Sequence, residues 1–204
     1  MAETGWDKVR KAQRKAEESR KATFPKFFLL DGAEAVIQFV SDSPYVHYQH
    51  SVQVDGRWRT FVCLSDIDEG DEGENCPLCK RGNSPRFVGA FYVVDYRGSW
   101  SSTSKSFDGV PVVKLYTPGI LVLGQLEKIN SKKPRGLSGY KFEITRTGEG
   151  FNTSYNFDTL EEADVPEELT KDLPPLDTIL KPMTSEELKK KCGFLDDDGA
   201  ITWD

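Results

Sequence analysis

Two histidines, two methionines and four cysteines are all that 204 residues hold of those types, and apolar side chains make up only 37%. So few histidines argue against a catalytic metal, which needs an open coordination position and a nearby general base. No run nears the ~18 apolar residues of a membrane span, and the basic N-terminus lacks the apolar stretch of a secretory signal. A soluble, intracellular protein with reduced thiols is expected. The apolar fraction stays at the low edge of the globular range even with 17 glycines counted in. Part of the chain should therefore be solvated around one small domain, and no internal repeat is visible.

Charge is present but unevenly placed. The net charge of −6 by itself disfavours nucleic acid as a partner. Residues 1–26, however, hold eight Lys/Arg against four Asp/Glu, residues 27–157 hold 14 against 15, and residues 158–204 hold five against 14. Six of the central acids crowd between Asp66 and Glu74, which leaves the rest of the middle segment basic. This asymmetry suggests a polyanion-binding body with an acidic tail.

Residues 1–24 read as a basic helical arm. Thr4 and Asp7 stand at capping-box spacing and Pro25 closes the run. Trp6, Val9, Gln13 and Ala16 make only a thin stripe, which suits a solvated arm or one docked on a neighbouring copy or on phosphates. Residues 25–158 read as the core, with strands at 35–40, 45–54, 57–64, 87–96, 110–116, 140–147 and 153–158. Asp55-Gly56 is a two-residue type I′ hairpin turn. Leu121, Val122, Gln125, Leu126 and Ile129 recur at helical spacing after Gly119, as in a helix packed on a sheet. The pattern favours a mainly β fold, a small barrel with one inserted helix, with Phe61, Phe91, Phe142 and Phe157 in its core. Residues 159–204 turn acidic and proline-rich, with one short helix between a Thr184/Glu187 capping box and Gly193, and a disordered tip.

Cys76-Pro-Leu-Cys79 is a Cys-x-x-Cys knuckle followed by Lys80, Arg81 and Gly82. Two thiolates at that spacing can bind one metal ion, and Cys63 and His50 lie upstream across the Asp55-Gly56 hairpin. Together they complete a His-Cys-Cys-Cys shell, the closed set expected of one structural Zn2+. His47 is the competing histidine. On a strand it faces away from His50, which lies nearer the hairpin and is the better placed of the two. A redox Cys-x-x-Cys is disfavoured by the lack of a βαβ pattern, and Cys192 reads as a free buried thiol.

Single-stranded nucleic acid is held by cations that track phosphates and by aromatic faces on which bases stack. The chain interleaves the two classes: Tyr48, then Arg57, Trp58 and Arg59, then Lys80, Arg81 and Arg86, then Tyr92, Tyr96, Arg97 and Trp100. Lys114 and Tyr116 follow, then Lys132, Lys133 and Arg135, then Tyr140, Lys141 and Arg146. Any one of these is as well explained by core packing or a solvated face. Their recurrence points to a non-enzymatic DNA-binding surface. The rivals are an adaptor that binds replication or transcription proteins without touching DNA, a redox protein, and a nuclease, whose metal-binding carboxylates are not in evidence on the strands.

His50, Cys63, Cys76 and Cys79 in this order resemble the zinc-containing single-stranded DNA-binding proteins of bacteriophages. Tyr-Val-His-Tyr-Gln-His (45–50), Cys-Pro-Leu-Cys (76–79), Phe-Tyr-Val-Val-Asp (91–95) and Phe-Glu-Ile-Thr-Arg-Thr-Gly-Glu-Gly-Phe-Asn-Thr (142–153) are similar to a group from tailed phages. The resemblance implies an OB-fold with an inserted zinc-ribbon subdomain at about 45–82. It implies a protein that coats and protects unwound DNA in phage DNA replication, recombination or repair, in the cytoplasm of the infected bacterial host. It also implies self-association along DNA through the arm. Replication or recombination proteins would be recruited by the tail, here Asp196, Asp197, Asp198, Trp203 and Asp204.

Overall fold

Strand β4 organises the molecule by pairing with three others. The computed structural model describes residues 5, 9, 10, 24–65 and 75–194, the side chain of Phe151 excepted. In chain order the elements are β1 (Glu34–Phe39), β2 (Tyr45–Val54), β3 (Arg57–Val62), α1 (Pro77–Lys80), β4 (Arg86–Asp95), β5 (Trp100–Ser101), β6 (Ser106–Phe107) and β7 (Val112–Tyr116). Then come α2 (Ile120–Lys132), β8 (Tyr140–Thr147), β9 (Ser154–Glu162), α3 (Glu167–Thr170), α4 (Leu176–Ile179) and α5 (Ser185–Lys191).

The fold is mainly β. β1 and β2 lie end to end along one edge of β4, and β7 takes the other. The antiparallel sheet runs β3, β2, β4, β1, β8, β9, and among the described residues this path is open where a closed barrel was expected. β5 and β6 form a separate small hairpin that the sequence reading passed over. The β2–β3 turn is as expected: Asp55 at φ 51° and Gly56 at φ 71° supply the two left-handed positions of a type I′ loop.

Both faces of β4 are buried, which is why its sequence lacks polar alternation. Phe91 and Val93 join Ile37, Phe39, Phe142 and Ile144 in the main core, with Leu126 of α2. Phe157, at the edge of this core, is half-buried, and Phe61 belongs to a different cluster. Helix α2 comes so close that a Cβ on Gly89 would stand 2.6 Å from Leu123 Cδ2 and 2.9 Å from Pro44 Cβ, so only glycine fits there.

The opposite face carries Ala90, Tyr92 and Val94, and it is covered by the C-terminal chain. Strand β9 runs past the expected core boundary at 158. Beyond it Val165, Leu169, Leu173, Leu176, Ile179 and Leu180 pack on that face as a strap. An apolar sheet face needs a cover, and this proline-rich stretch has a leucine or isoleucine every three or four residues to provide one. Polar contacts fix its path: Tyr92 Oη donates to Pro174 O (2.6 Å), and buried Gln38 Nε2 donates to Ala163 O (2.9 Å). α5 then starts on the expected capping box, with Thr184 and Glu187 bonded reciprocally, and Gly193 follows at φ 70°. Most of the expected arm, the acidic loop at 66–74 and the tail beyond residue 194 lie outside the described residues.

Candidate metal centre and aromatic surface

The hairpin, the end of β3 and the knuckle converge on one point. His50 is on β2, Cys63 follows β3, Cys76 caps α1 and Cys79 lies within it. Pro77 at the first helical position starts this single turn, and Gly82 at φ 77° ends it. The four ligand atoms lie within 4.8 Å of one another, and His50, Cys63 and Cys76 are buried. His50 therefore joins the cysteines, while His47 points to the other side of the sheet.

The spacing fits a tetrahedral ion. Bonds of about 2.3 Å to sulfur and about 2.0 Å to nitrogen require edges of about 3.8 Å between sulfurs and about 3.6 Å between sulfur and nitrogen. Cys63 Sγ and Cys79 Sγ are 3.6 Å apart, and His50 Nε2 lies 3.3 Å from Cys76 Sγ and 3.5 Å from Cys79 Sγ. The far side of the ring is oriented too: Nδ1 lies 2.9 Å from Asn83 Oδ1, whose amide in turn donates to Ser51 O. With Nδ1 donating, Nε2 turns its lone pair inward, as a metal ligand must.

Electrostatics point the same way. Without a metal, burial opposes protonation of His50, but its bonds to Cys76 and Asn83 raise its pKa, and the ring, protonated at both nitrogens, donates from Nε2. Burial likewise opposes ionisation of Cys76, but that bond and the backbone groups of Leu64, Cys79 and Leu78 bring the thiol to about 6. Burial and the neighbouring cysteines push Cys79 up to about 12, and burial raises Cys63 as well. Three thiolates packed this closely need a shared cation to ionise together. Cys192 is half-buried against this lobe and outside the ligand set, as expected of a free thiol.

The residues expected to face DNA separate into three groups. Tyr92, Lys114, Tyr116 and Tyr140 are buried and present no face to solvent. Tyr92 lies under the strap, Tyr116 and Tyr140 belong to the main core, and Lys114 donates to buried Asp95 at 2.7 Å. A second group is half-buried and engaged. Tyr48 stacks edge-on against Phe87, Arg81 lies 4.0 Å over the Phe194 ring, and Tyr96 donates to Gln38. Arg97 pairs with Asp95, Lys133 lies over Tyr140, Lys141 pairs with Glu161, and Arg146 donates to Leu29 O.

Arg57, Trp58, Arg59, Lys80, Arg86, Trp100, Lys132 and Arg135 are exposed, although Arg135 is paired with Asp164 and Glu162. Cross-strand register puts Trp58 and Thr60 on the same face as Tyr45, His47, Gln49 and Arg86, with Arg57 and Arg59 on the reverse. Trp58 is 74% exposed on this face. Gln49 accepts from Arg86 at 3.0 and 3.2 Å once its amide is turned to satisfy both groups.

Trp100 belongs to a second exposed cluster. It stands edge-on to Phe107, ring centroids 5.1 Å apart, and the Arg97 guanidinium lies 4.4 Å over Phe107. With Phe28, Lys26 and Lys114 these residues ring a cavity of about 200 Å3. Lys26, Phe28 and Phe107 went unread in the sequence because none sits in a strand long enough to show alternation. No family model and no curated protein matches the chain.

Proposed function

We infer that this protein binds single-stranded DNA. It coats and protects unwound DNA in phage replication, recombination or repair, on a sheet of OB-fold type with a zinc-ribbon lobe. The observation that carries the reading is that both tryptophans among the described residues stay out of the cores described, Trp58 at 74% and Trp100 at 53% exposure. Large aromatics are normally spent on burial, and both of these share a surface with cations: Trp100 lines a cavity with Arg97 and Lys26, and Trp58 is on the strand face that carries Arg86, with Arg57 and Arg59 on the reverse. Exposed rings flanked by cations suit stacked bases and their phosphates. The metal is zinc in this reading. Four protein donors close its shell, so it shapes the lobe and does no chemistry. The arm and the acidic tail take the roles of self-association and recruitment of replication proteins.

The test is intrinsic fluorescence titrated with a single-stranded oligomer and with duplex of equal length at two salt concentrations. Quenching by the single strand alone, weakened by salt, is expected. No response to either form would overturn the reading.

One feature favours the adaptor instead. Beside α2, Val46 and Ile120 are exposed around a cavity of about 510 Å3 whose charged lining residues are Asp42 and Glu127. That acidic, apolar groove suits a protein surface better than DNA.

A further inference from the structure

A cavity of about 240 Å3 opens where four stretches of chain meet: residues 24–26, the β2–β3 hairpin, residues 115–117 and residues 179–188. Its walls are of two kinds. Leu115, Ile179, Leu180 and Met183 supply apolar lining, and His47, Thr60, Lys26 and Lys181 supply polar lining.

His47 is the anomaly. Both of its ring nitrogens are buried and neither has a hydrogen-bond partner in the protein. Burial lowers its pKa, and the Gln49 oxygen that would offset part of that shift is turned to Arg86. The ring is therefore neutral at pH 7 and presents one N–H and one lone pair. Leaving both unused in a buried place is costly, so an unpaired imidazole lining a cavity indicates an absent partner. A neutral imidazole offers a donor on one nitrogen and an acceptor on the other, and either can meet a polar atom of a nucleobase edge, whereas a bare anion could use only the N–H. The phosphate partners are also in place: Lys26 Nζ spends one proton on Thr60 Oγ1 (2.9 Å), and Lys181 lines the same cavity from the exposed end of the strap.

We propose that this seam holds one nucleotide unit of a single strand, its base edge on His47, its ring against Ile179, Leu180 and Met183, and its phosphate on Lys26 and Lys181. The volume lies below the ~300 Å3 at which ordinary ligand pockets begin, so it takes one unit and no more. The choice of ligand rests on the single-strand reading, and the seam gives that reading a specific contact away from the exposed tryptophans. Lys26 lines both this cavity and the Trp100 cup, so a strand could pass from one to the other across it.

The experiment uses the full chain with its metal. With two histidines in the sequence, the ring signals of 15N-histidine-labelled protein are readily assigned. Thymidine monophosphate should move the His47 signals and leave those of His50 in place, while inorganic phosphate alone should not reproduce the change. His47→Phe should weaken binding of an oligothymidylate about tenfold without altering the salt dependence. Lys181→Ala, at an exposed site that does not endanger folding, should flatten the log-log salt slope by about 0.7. Static His47 signals, or full affinity in His47→Phe, with oligomers still quenching the tryptophans, would remove the seam and leave single-strand binding intact. Equal shifts with phosphate alone would reduce it to an anion site and overturn the nucleotide assignment. Oligomers that neither quench nor bind would remove the single-strand reading, and the seam would then stand or fall on the mononucleotide alone.

Discussion

The main core and the metal lobe share one sheet but are held by different physics. The main core packs Phe39 against Phe91, Phe142 and Tyr116 at ring distances of 5.1, 5.8 and 6.4 Å, and its buried members are apolar side chains and tyrosines. The lobe has eight buried members, of which two are candidate metal ligands and two, Leu188 and Phe194, arrive from the C-terminal chain. Only Val52, Val54, Phe61 and Leu78 remain as apolar burial of its own. So thin a cluster does not hold a hairpin and a knuckle together without a cross-link. Where apolar residues run out, coordination and a borrowed helix take over.

Chelation should separate the two regions most sharply. Structural zinc contributes on the order of 10 kcal/mol or more to small sites. Stripping the metal, or Cys76→Ser, should therefore melt the lobe while the main core persists, seen as two transitions in hydrogen exchange. A single transition indifferent to chelator would erase the distinction. Phe39→Ala, at a fully buried position, should cost about 3–5 kcal/mol in urea unfolding and leave metal binding intact in the folded fraction. A loss below about 1 kcal/mol would mean that the core is not packed as described.

Asp95 sharpens the comparison through charge. It is fully buried, with Lys114 at 2.7 Å and Arg97 at 2.9 Å. Burial raises its pKa, but the bonds from Arg97 and Lys114 outweigh that and hold the carboxyl below its usual value. The unfolded chain then takes up the proton first. Stability should be full above about pH 4 and fall as pH drops toward the folded pKa. Asp95→Asn should cost about 3 kcal/mol and remove that slope, measured by unfolding across pH; an unchanged slope would exonerate the pair. The smallest effect on the fold belongs to Trp58→Ala. Its side chain is exposed, so the melting temperature should hold while affinity for single strands drops by about 1–3 kcal/mol. Equal loss of stability would show that the ring is packing, not platform.

Much of the lobe was legible because its signals are local. Asp55-Gly56, the Cys-x-x-Cys spacing and the Thr184/Glu187 box each specify a backbone geometry within four residues, and each occurs as expected. The aromatic surface was legible only in part. Alternation along β4 puts Phe91 and Val93 in one core and Tyr92 and Val94 in the other, in line with Phe91 being read as core and Tyr92 as facing away from it. It could not tell that the second face would also be covered, because its cover comes from residues 165–180, some 80 positions away. Tyr92 looked available for that reason, and Lys114, on the other face, because its partner Asp95 lies on a different strand, while Lys26, Phe28 and Phe107 were overlooked.

The sequence by itself determined most of the longer elements, the relative faces within each strand and the three cysteine donors of the candidate metal site, since these depend on dihedral preference and short spacing. The tertiary structure decided which face meets water, that His50 and not His47 completes the donor set, and which aromatics stay exposed. Burial is a property of what packs on a residue, and the packing partner here is often a segment whose own composition looks solvated.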